Sequence, residues 1–200
     1  MIAIIDYGMG NLRSVQKAAE HLGYDARVTS DPRDVEAAGK VIFPGVGAFG
    51  DAMRELDARG LRDTLTKVIR QGKPFLGICL GLQLLFESSE ESPGVAGLGV
   101  FRGSVPRFQG AVKIPHMGWN QIAVRDRACP IFKGIPDGSF MYFVHSYYVS
   151  PKDASIVACE TSYSGDFASA VWKDNVYATQ FHPEKSQATG LKILKAFCEQ

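Results

Sequence analysis

Pro74-Phe75-Leu76-Gly77-Ile78-Cys79-Leu80-Gly81-Leu82-Gln83-Leu84-Leu85-Phe86 decides the reading of this 200-residue chain. The run from Pro74 to Ile78 is short and apolar, as a strand buried on both faces must be. Leu80 to Phe86 then turns helical. Between them stands Gly77-x-Cys79-x-Gly81, the signature of a sharp strand-to-helix turn that exposes a nucleophile. The glycines are needed because the turn leaves no room for Cβ atoms two residues either side of Cys79. A thiol at the start of a helix faces unpaired backbone N–H groups, which favour the thiolate. Most free cysteines are buried and inert; strand, glycines and helix together make Cys79 the candidate nucleophile.

Outward from this turn, the first half alternates strands and helices. Ile2–Ile5 and Lys40–Phe43 are apolar runs stopped by turn residues. Leu12, Val15, Ala18, Ala19 and Leu22 recur at helical spacing, with Gly23 at the C-terminal cap position. Leu56 to Ile69 carries one or two further helices that end near Gly72. Such alternation predicts an α/β three-layer sandwich on a mostly parallel sheet. The second half is β-rich. Gly99–Phe108, Gln121–Val124 and Ser139–Val144 read as strands. Ser155–Tyr163, Phe167–Trp172 and Val176–Phe181 read as an antiparallel meander turning at Lys173-Asp174-Asn175. A last helix spans Gln187 to Phe197, capped by Ser186. No linker or repeat interrupts the chain, so residues 1–200 read as a single domain.

Composition excludes several classes. Lys plus Arg total 22 against Asp plus Glu at 21, which removes the electrostatic case for a nucleic-acid binder. No apolar run reaches about 18 residues and the start has no basic leader region, which predicts a soluble cytoplasmic protein without a membrane span. The four cysteines are far apart and form no CxxC pair, arguing against a disulfide framework or a zinc site. Cys129, Cys159 and Cys198 are assigned to packing. The residues call for no metal and no cofactor.

A thiol nucleophile needs a base, and the base needs orienting. Phe181-His182-Pro183-Glu184 supplies both. Proline favours an extended residue before it, and residues two apart in an extended segment share a side. Glu184 is therefore expected to reach His182. Pro44-Gly45-Val46-Gly47 follows an apolar strand; its glycines let the Val46 N–H turn toward a developing oxyanion, with the Leu80 N–H as second donor.

These segments resemble the class I, triad-type glutamine amidotransferases. Asp6-Tyr7-Gly8-Met9-Gly10-Asn11, Pro115-His116-Met117-Gly118-Trp119-Asn120 and Tyr142-Phe143-Val144-His145-Ser146-Tyr147 narrow the resemblance to the glutaminase subunits of imidazole glycerol phosphate synthases, in histidine biosynthesis. The resemblance runs from the first strand to the last helix. It implies that Cys79 attacks the carboxamide of L-glutamine, that His182 oriented by Glu184 moves protons, and that Val46 and Leu80 N–H groups hold the oxyanion. It further implies substrate contacts at Gly45, Gly47, Gln83, Ser146 and Tyr147, where the family also carries threonine in place of Ser146. The partner it implies is a (β/α)8-barrel cyclase subunit that receives the ammonia in a heterodimer, facing Asn11, Trp119 and Lys185. A glycine-preceded peptide at Gly45-Val46 rotates cheaply, so the isolated chain is expected to be a poor glutaminase. Open alternatives are a glutaminase serving anthranilate, guanylate or pyridoxal phosphate synthesis, a non-catalytic regulatory module on the same fold, and a Cys-His peptidase.

Overall fold

The computed structural model describes residues 1–200. Its first half runs β1 (Ile2–Ile5), α1 (Leu12–His21), β2 (Ala26–Thr29), α2 (Pro32–Ala37), β3 (Lys40–Gly45), α3 (Phe49–Ala58), α4 (Leu61–Arg70), β4 (Phe75–Cys79) and α5 (Leu80–Gln83). The second half runs β5 (Ser88–Ser89), β6 (Gly103–Val105), β7 (His116–Val124), β8 (Ser139–His145), β9 (Ser150–Pro151), β10 (Val157–Ser162), β11 (Asp166–Lys173), β12 (Val176–Thr179) and α6 (Gln187–Cys198).

Nine strands form one sheet in the order β2-β1-β3-β4-β12-β11-β10-β7-β8. The first five are mutually parallel and the remaining pairings antiparallel. β5, β6 and β9 make a small separate sheet. Successive strand residues point to opposite faces, which divides the interior in two. Ile4, Ile42, Leu76 and Ile78 pack with Val15 and Ala19 of α1 and Ile193, Leu194 and Phe197 of α6. Ile5, Val41, Phe43 and Phe75 pack with Val35, Leu56, Leu65 and Val68 of α2, α3 and α4. The α/β class and its antiparallel addition are as expected. No helix is long and apolar enough to cross a membrane.

Four local expectations change. β12 turns antiparallel to β11 through Asp174, at φ +52°, but its other edge pairs in parallel with β4. The strand read as the end of a meander is thus the neighbour of the strand that ends at Cys79. α5 stops at Gln83 instead of Phe86 because the carbonyls of Leu84, Leu85 and Phe86 accept from the N–H groups of Leu98, Phe101 and Gly99. β7 begins at His116, five residues before the expected Gln121, since its alternation is masked by Gly118 and a polar inner face. β2 and α2 were not anticipated; Asp31, which accepts from the Arg33 N–H at 2.8 Å, and Pro32 at the first helical turn are the signals for α2.

Candidate active site

Cys79 ends β4 at φ +56° and ψ −109°, a strained region for a residue with a side chain. The strain turns its side chain out of the sheet. The elbow holds because Gly81 presses against β3: a Cβ there would lie 1.8 Å from the Phe43 carbonyl oxygen. With a helix of only four residues following, little macrodipole is available, so the local N–H groups of the turn are the relevant donors.

Parallel pairing of β12 with β4 sets Thr179 beside Ile78, and the chain leaving β12 brings His182 to the elbow. The His182 N–H donates to the Tyr142 carbonyl at 3.0 Å, tying it to β8. Pro183–Lys185 forms a single 3-10 turn, so the expected extended His-Pro-Glu geometry is replaced by one in which Glu184 folds back. Its Oε1 lies 2.8 Å from His182 Nδ1, and both side chains are buried. Burial disfavours the charged imidazole, but the charge of Cys79, together with the hydrogen bond and charge of Glu184, outweighs it and pushes the His182 pKa up to about 10. His182 Nε2 has no hydrogen-bond partner of proper geometry, although Cys79 is near enough for its charge to act on the ring. The sulfur itself lies 3.8 Å from the Val144 carbonyl oxygen and 3.7 Å from Gln180 Nε2.

A cavity of about 280 Å³ opens over Cys79. Val46, Gly47, Leu80, Gln83, Ser146 and Tyr147 line it, so these expected contacts converge on one space. Gly45 does not line it: it is buried beneath, paired with Cys79 in the β3–β4 register. Cys129, Cys159 and Cys198 are buried elsewhere, and burial pushes the Cys129 thiol up to about 12 and the Cys198 thiol up to about 11. A groove of about 480 Å³ bounded by Ile69, Arg102 and Lys173 contains no cysteine, serine or threonine. No group of three or more histidine, cysteine or acidic side chains is arranged to hold a metal ion.

Residues 3–200 match the family model for glutamine amidotransferase class-I. The chain belongs to that family. Within this amidotransferase family it is 57% identical over 204 residues to the imidazole glycerol phosphate synthase subunit HisH of Syntrophotalea carbinolica, covering 98% of each chain. It is 54% identical to the subunit of the same name from Thermococcus kodakarensis, again with 98% of each covered. The chain is accordingly a glutamine amidotransferase of the HisH type. Its fold superposes on a crystal structure of glutamine amidotransferase with a TM-score of 0.77 at 19% identity, covering 100% of this chain and 98% of that one. The structure of PurLQS from Thermotoga maritima gives a TM-score of 0.77 at 19% identity, with 99% and 97% covered.

The sequence reading gave three residues of this amidotransferase no part in the site. Gln180 is fully buried; its Oε1 accepts from Gln83 Nε2 at 3.0 Å while its own Nε2 donates to the Cys79 sulfur. Its place two residues before His182 at a strand end was the available signal. Glu91 is the one carboxylate lining the cavity, and its Oε2 accepts from the Phe49 N–H at 2.7 Å; nothing local marks it. Ser186 is the third. It makes no side-chain cap to α6, contrary to expectation. Its Oγ instead donates to the His182 carbonyl at 2.6 Å and accepts from the Tyr142 N–H at 3.0 Å.

Two of the expected partner-facing residues, Trp119 and Lys185, meet around Tyr142 of β8. Trp119 stands edge-on to Tyr142, and Lys185 Nζ lies 5.7 Å from the Tyr142 ring centre. Met117, Trp119 and Phe140 are exposed on β7 and β8. Asn11 is exposed at the start of α1, the helix that packs on the Pro183–Lys185 turn.

Proposed function

We propose that the chain hydrolyses L-glutamine to glutamate and ammonia, and delivers the ammonia to a (β/α)8-barrel cyclase subunit. In this reading the two form a cytoplasmic heterodimer that makes imidazole glycerol phosphate and aminoimidazole carboxamide ribonucleotide. The observation that carries it is Cys79 at φ +56° beneath a cavity, beside an imidazole held by Glu184.

The Cys79 thiolate attacks the carboxamide carbon, forming a C–S bond and moving the carbonyl electron pair onto oxygen. The Val46 and Leu80 N–H groups receive that oxyanion, a contribution of about 3–4 kcal/mol for each well-placed donor. Collapse of the adduct expels ammonia, which takes its proton from His182 Nε2. A water molecule then gives a proton back to His182 and attacks the thioester, releasing glutamate and the sulfur. Glu184 keeps Nδ1 protonated throughout, so that Nε2 is the exchanging position. Glu91 suits the α-ammonium of the substrate, and the Ser146-Tyr147 wall suits its carboxylate end. The exposed apolar group of Met117, Trp119 and Phe140 on β7 and β8, with Lys185 beside Tyr142, supports docking of the cyclase on this face. Free ammonia protonates near neutral pH and diffuses away, so enclosure between two subunits keeps glutamine-derived ammonia unprotonated and close to its acceptor.

The test mixes the chain with the cyclase subunit. Cys79→Ala is expected to abolish glutamine-dependent synthesis while synthesis from added ammonia survives. Equal glutamine turnover with and without the ligand-loaded cyclase rejects the resting-state role given to Gly45-Val46. Persistence of glutamine-dependent synthesis in Cys79→Ala rejects the mechanism.

A further inference from the structure

Two histidines outside the triad face each other across the β7–β8 ladder. His116 pairs with His145 in register, and both are buried. His116 Nδ1 lies 2.9 Å from His145 Nε2, and His145 Nδ1 lies 2.7 Å from the Tyr147 carbonyl oxygen. A carbonyl only accepts, so His145 Nδ1 carries a hydrogen and, in the neutral ring, Nε2 accepts. His116 Nδ1 must then donate, leaving its Nε2 to accept from Asn120 Nδ2 at 3.2 Å. One protonation pattern satisfies every bond.

The chain of bonds continues. The Tyr147 carbonyl also accepts from Gln83 Nε2 at 3.0 Å, Gln83 Nε2 reaches Gln180 Oε1 at 3.0 Å, and Gln180 Nε2 reaches the Cys79 sulfur. Asn120, next to the exposed Trp119, is thereby joined through two imidazoles to the cavity wall and the sulfur.

Stability does not account for the pair. Its surroundings are aromatic: His116 stacks on Tyr163 at 4.0 Å and Phe143 at 4.9 Å, and His145 meets Phe108 at 5.1 Å and Phe167 at 5.3 Å. Replacing both members of a buried hydrogen-bonded pair by apolar rings of similar shape is close to neutral, whereas removing one strands the other. What the pair does hold is the Tyr147 carbonyl, and with it the Ser146-Tyr147 wall.

We propose that His116 and His145 are positioning residues that fix the Ser146-Tyr147 wall and the Gln83-Gln180 pair for glutamine to lie against Cys79. This rests on the glutaminase reading above. The test uses the complex with the cyclase subunit and compares His116→Phe/His145→Phe, His145→Phe and His145→Asn. Asparagine carries an N–H donor near the place of His145 Nδ1. The double variant is expected to keep the wild-type thermal midpoint and the wild-type rate of Cys79 alkylation by iodoacetamide. Its KM for glutamine should rise about five- to ten-fold, the worth of one neutral hydrogen bond, with kcat changed less. His145→Asn should return KM toward wild type, which His145→Phe should not. A double variant with unchanged KM overturns the proposal, as does one that loses KM, kcat and thermal midpoint together. So does an equal KM for His145→Asn and His145→Phe. A wild-type complex that turns over no glutamine overturns the glutaminase reading itself, and this proposal with it.

Discussion

Gly45 stands directly opposite Cys79 in the β3–β4 register, so the strand that leads into the Val46 loop is anchored at the level of Cys79 itself. The close approach depends on the missing side chain: a Cβ on Gly45 would lie 2.2 Å from the Tyr7 hydroxyl oxygen and 2.9 Å from the Leu80 Cβ. That hydroxyl is buried without a hydrogen-bond partner, and burial, then the charge of Cys79, raise its pKa above the ordinary phenol range. Sulfur, Val46 loop and Tyr7 are thus packed as one unit.

Gly45→Ala should therefore displace Val46 from the cavity. Glutamine hydrolysis in the complex is expected to fall about 100-fold, the cost of losing one oxyanion donor, while ammonia-dependent synthesis is retained. Adding Tyr7→Phe removes the nearest clashing atom and should restore part of the loss. Steady-state rates from glutamine and from ammonia check both.

Glu184→Gln removes the carboxylate that orients His182 and helps hold its pKa up to about 10. On the proposed mechanism kcat drops by about 10³- to 10⁴-fold, by analogy with loss of the acidic member of other triads. The His182 pKa should also fall, since a negative neighbour that stabilised the imidazolium is gone. Histidine NMR titration reads that shift directly.

Ser186→Ala breaks two buried hydrogen bonds, to the His182 carbonyl and from the Tyr142 N–H. The expected cost is about 1–3 kcal/mol of stability together with a lower kcat, because these bonds set the His182 backbone. Helicity of α6 should be unchanged, as no side-chain cap is lost. Urea unfolding and circular dichroism separate the two effects.

Glu91→Gln should raise KM for glutamine about ten-fold or more and change kcat less. It exchanges the cavity's one carboxylate for a neutral amide of nearly the same shape. A glutamine analogue lacking the α-amino group should bind wild type and variant alike.

Acid should weaken the fold through the histidine pair. Burial lowers the pKa of His116 to about 4 and, with smaller contributions from His116 and His182 against the Tyr147 carbonyl, that of His145 to about 3. The unfolded chain takes up these protons near its ordinary pKa of about 6.5, so stability declines as pH falls from there toward about 4. Each group contributes up to about 1.4 kcal/mol per pH unit in that window. His116→Phe/His145→Phe should lose that part of the slope, as read by urea unfolding at pH 7, 6 and 5.

The elbow was legible because its requirements are local. Gly77, Cys79 and Gly81 lie within five residues, and the steric demand of one tight turn selects them. The same holds for His182 and Glu184, although the turn that joins them is 3-10 and not extended. Ser186 was misread for the opposite reason: its hydroxyl has the local chemistry of a helix cap, but a β8 N–H and the His182 carbonyl, both brought in by tertiary packing, compete for it and win.

From its amino acids alone the chain declares an α/β fold, a thiol at a glycine-flanked turn and a histidine-glutamate pair about a hundred residues later. Those follow from backbone sterics and short-range periodicity, which act within a few residues. That β12 inserts beside β4, carrying His182 to Cys79, is decided only by the folded sheet, since strand order comes from the joint burial of both faces. The same long-range packing delivers Glu91 to the cavity, Gln180 to the sulfur and His116 to His145. A strand-end position hints at Gln180, but no local rule names its partner or the others, because each gains its meaning from a neighbour distant in the chain.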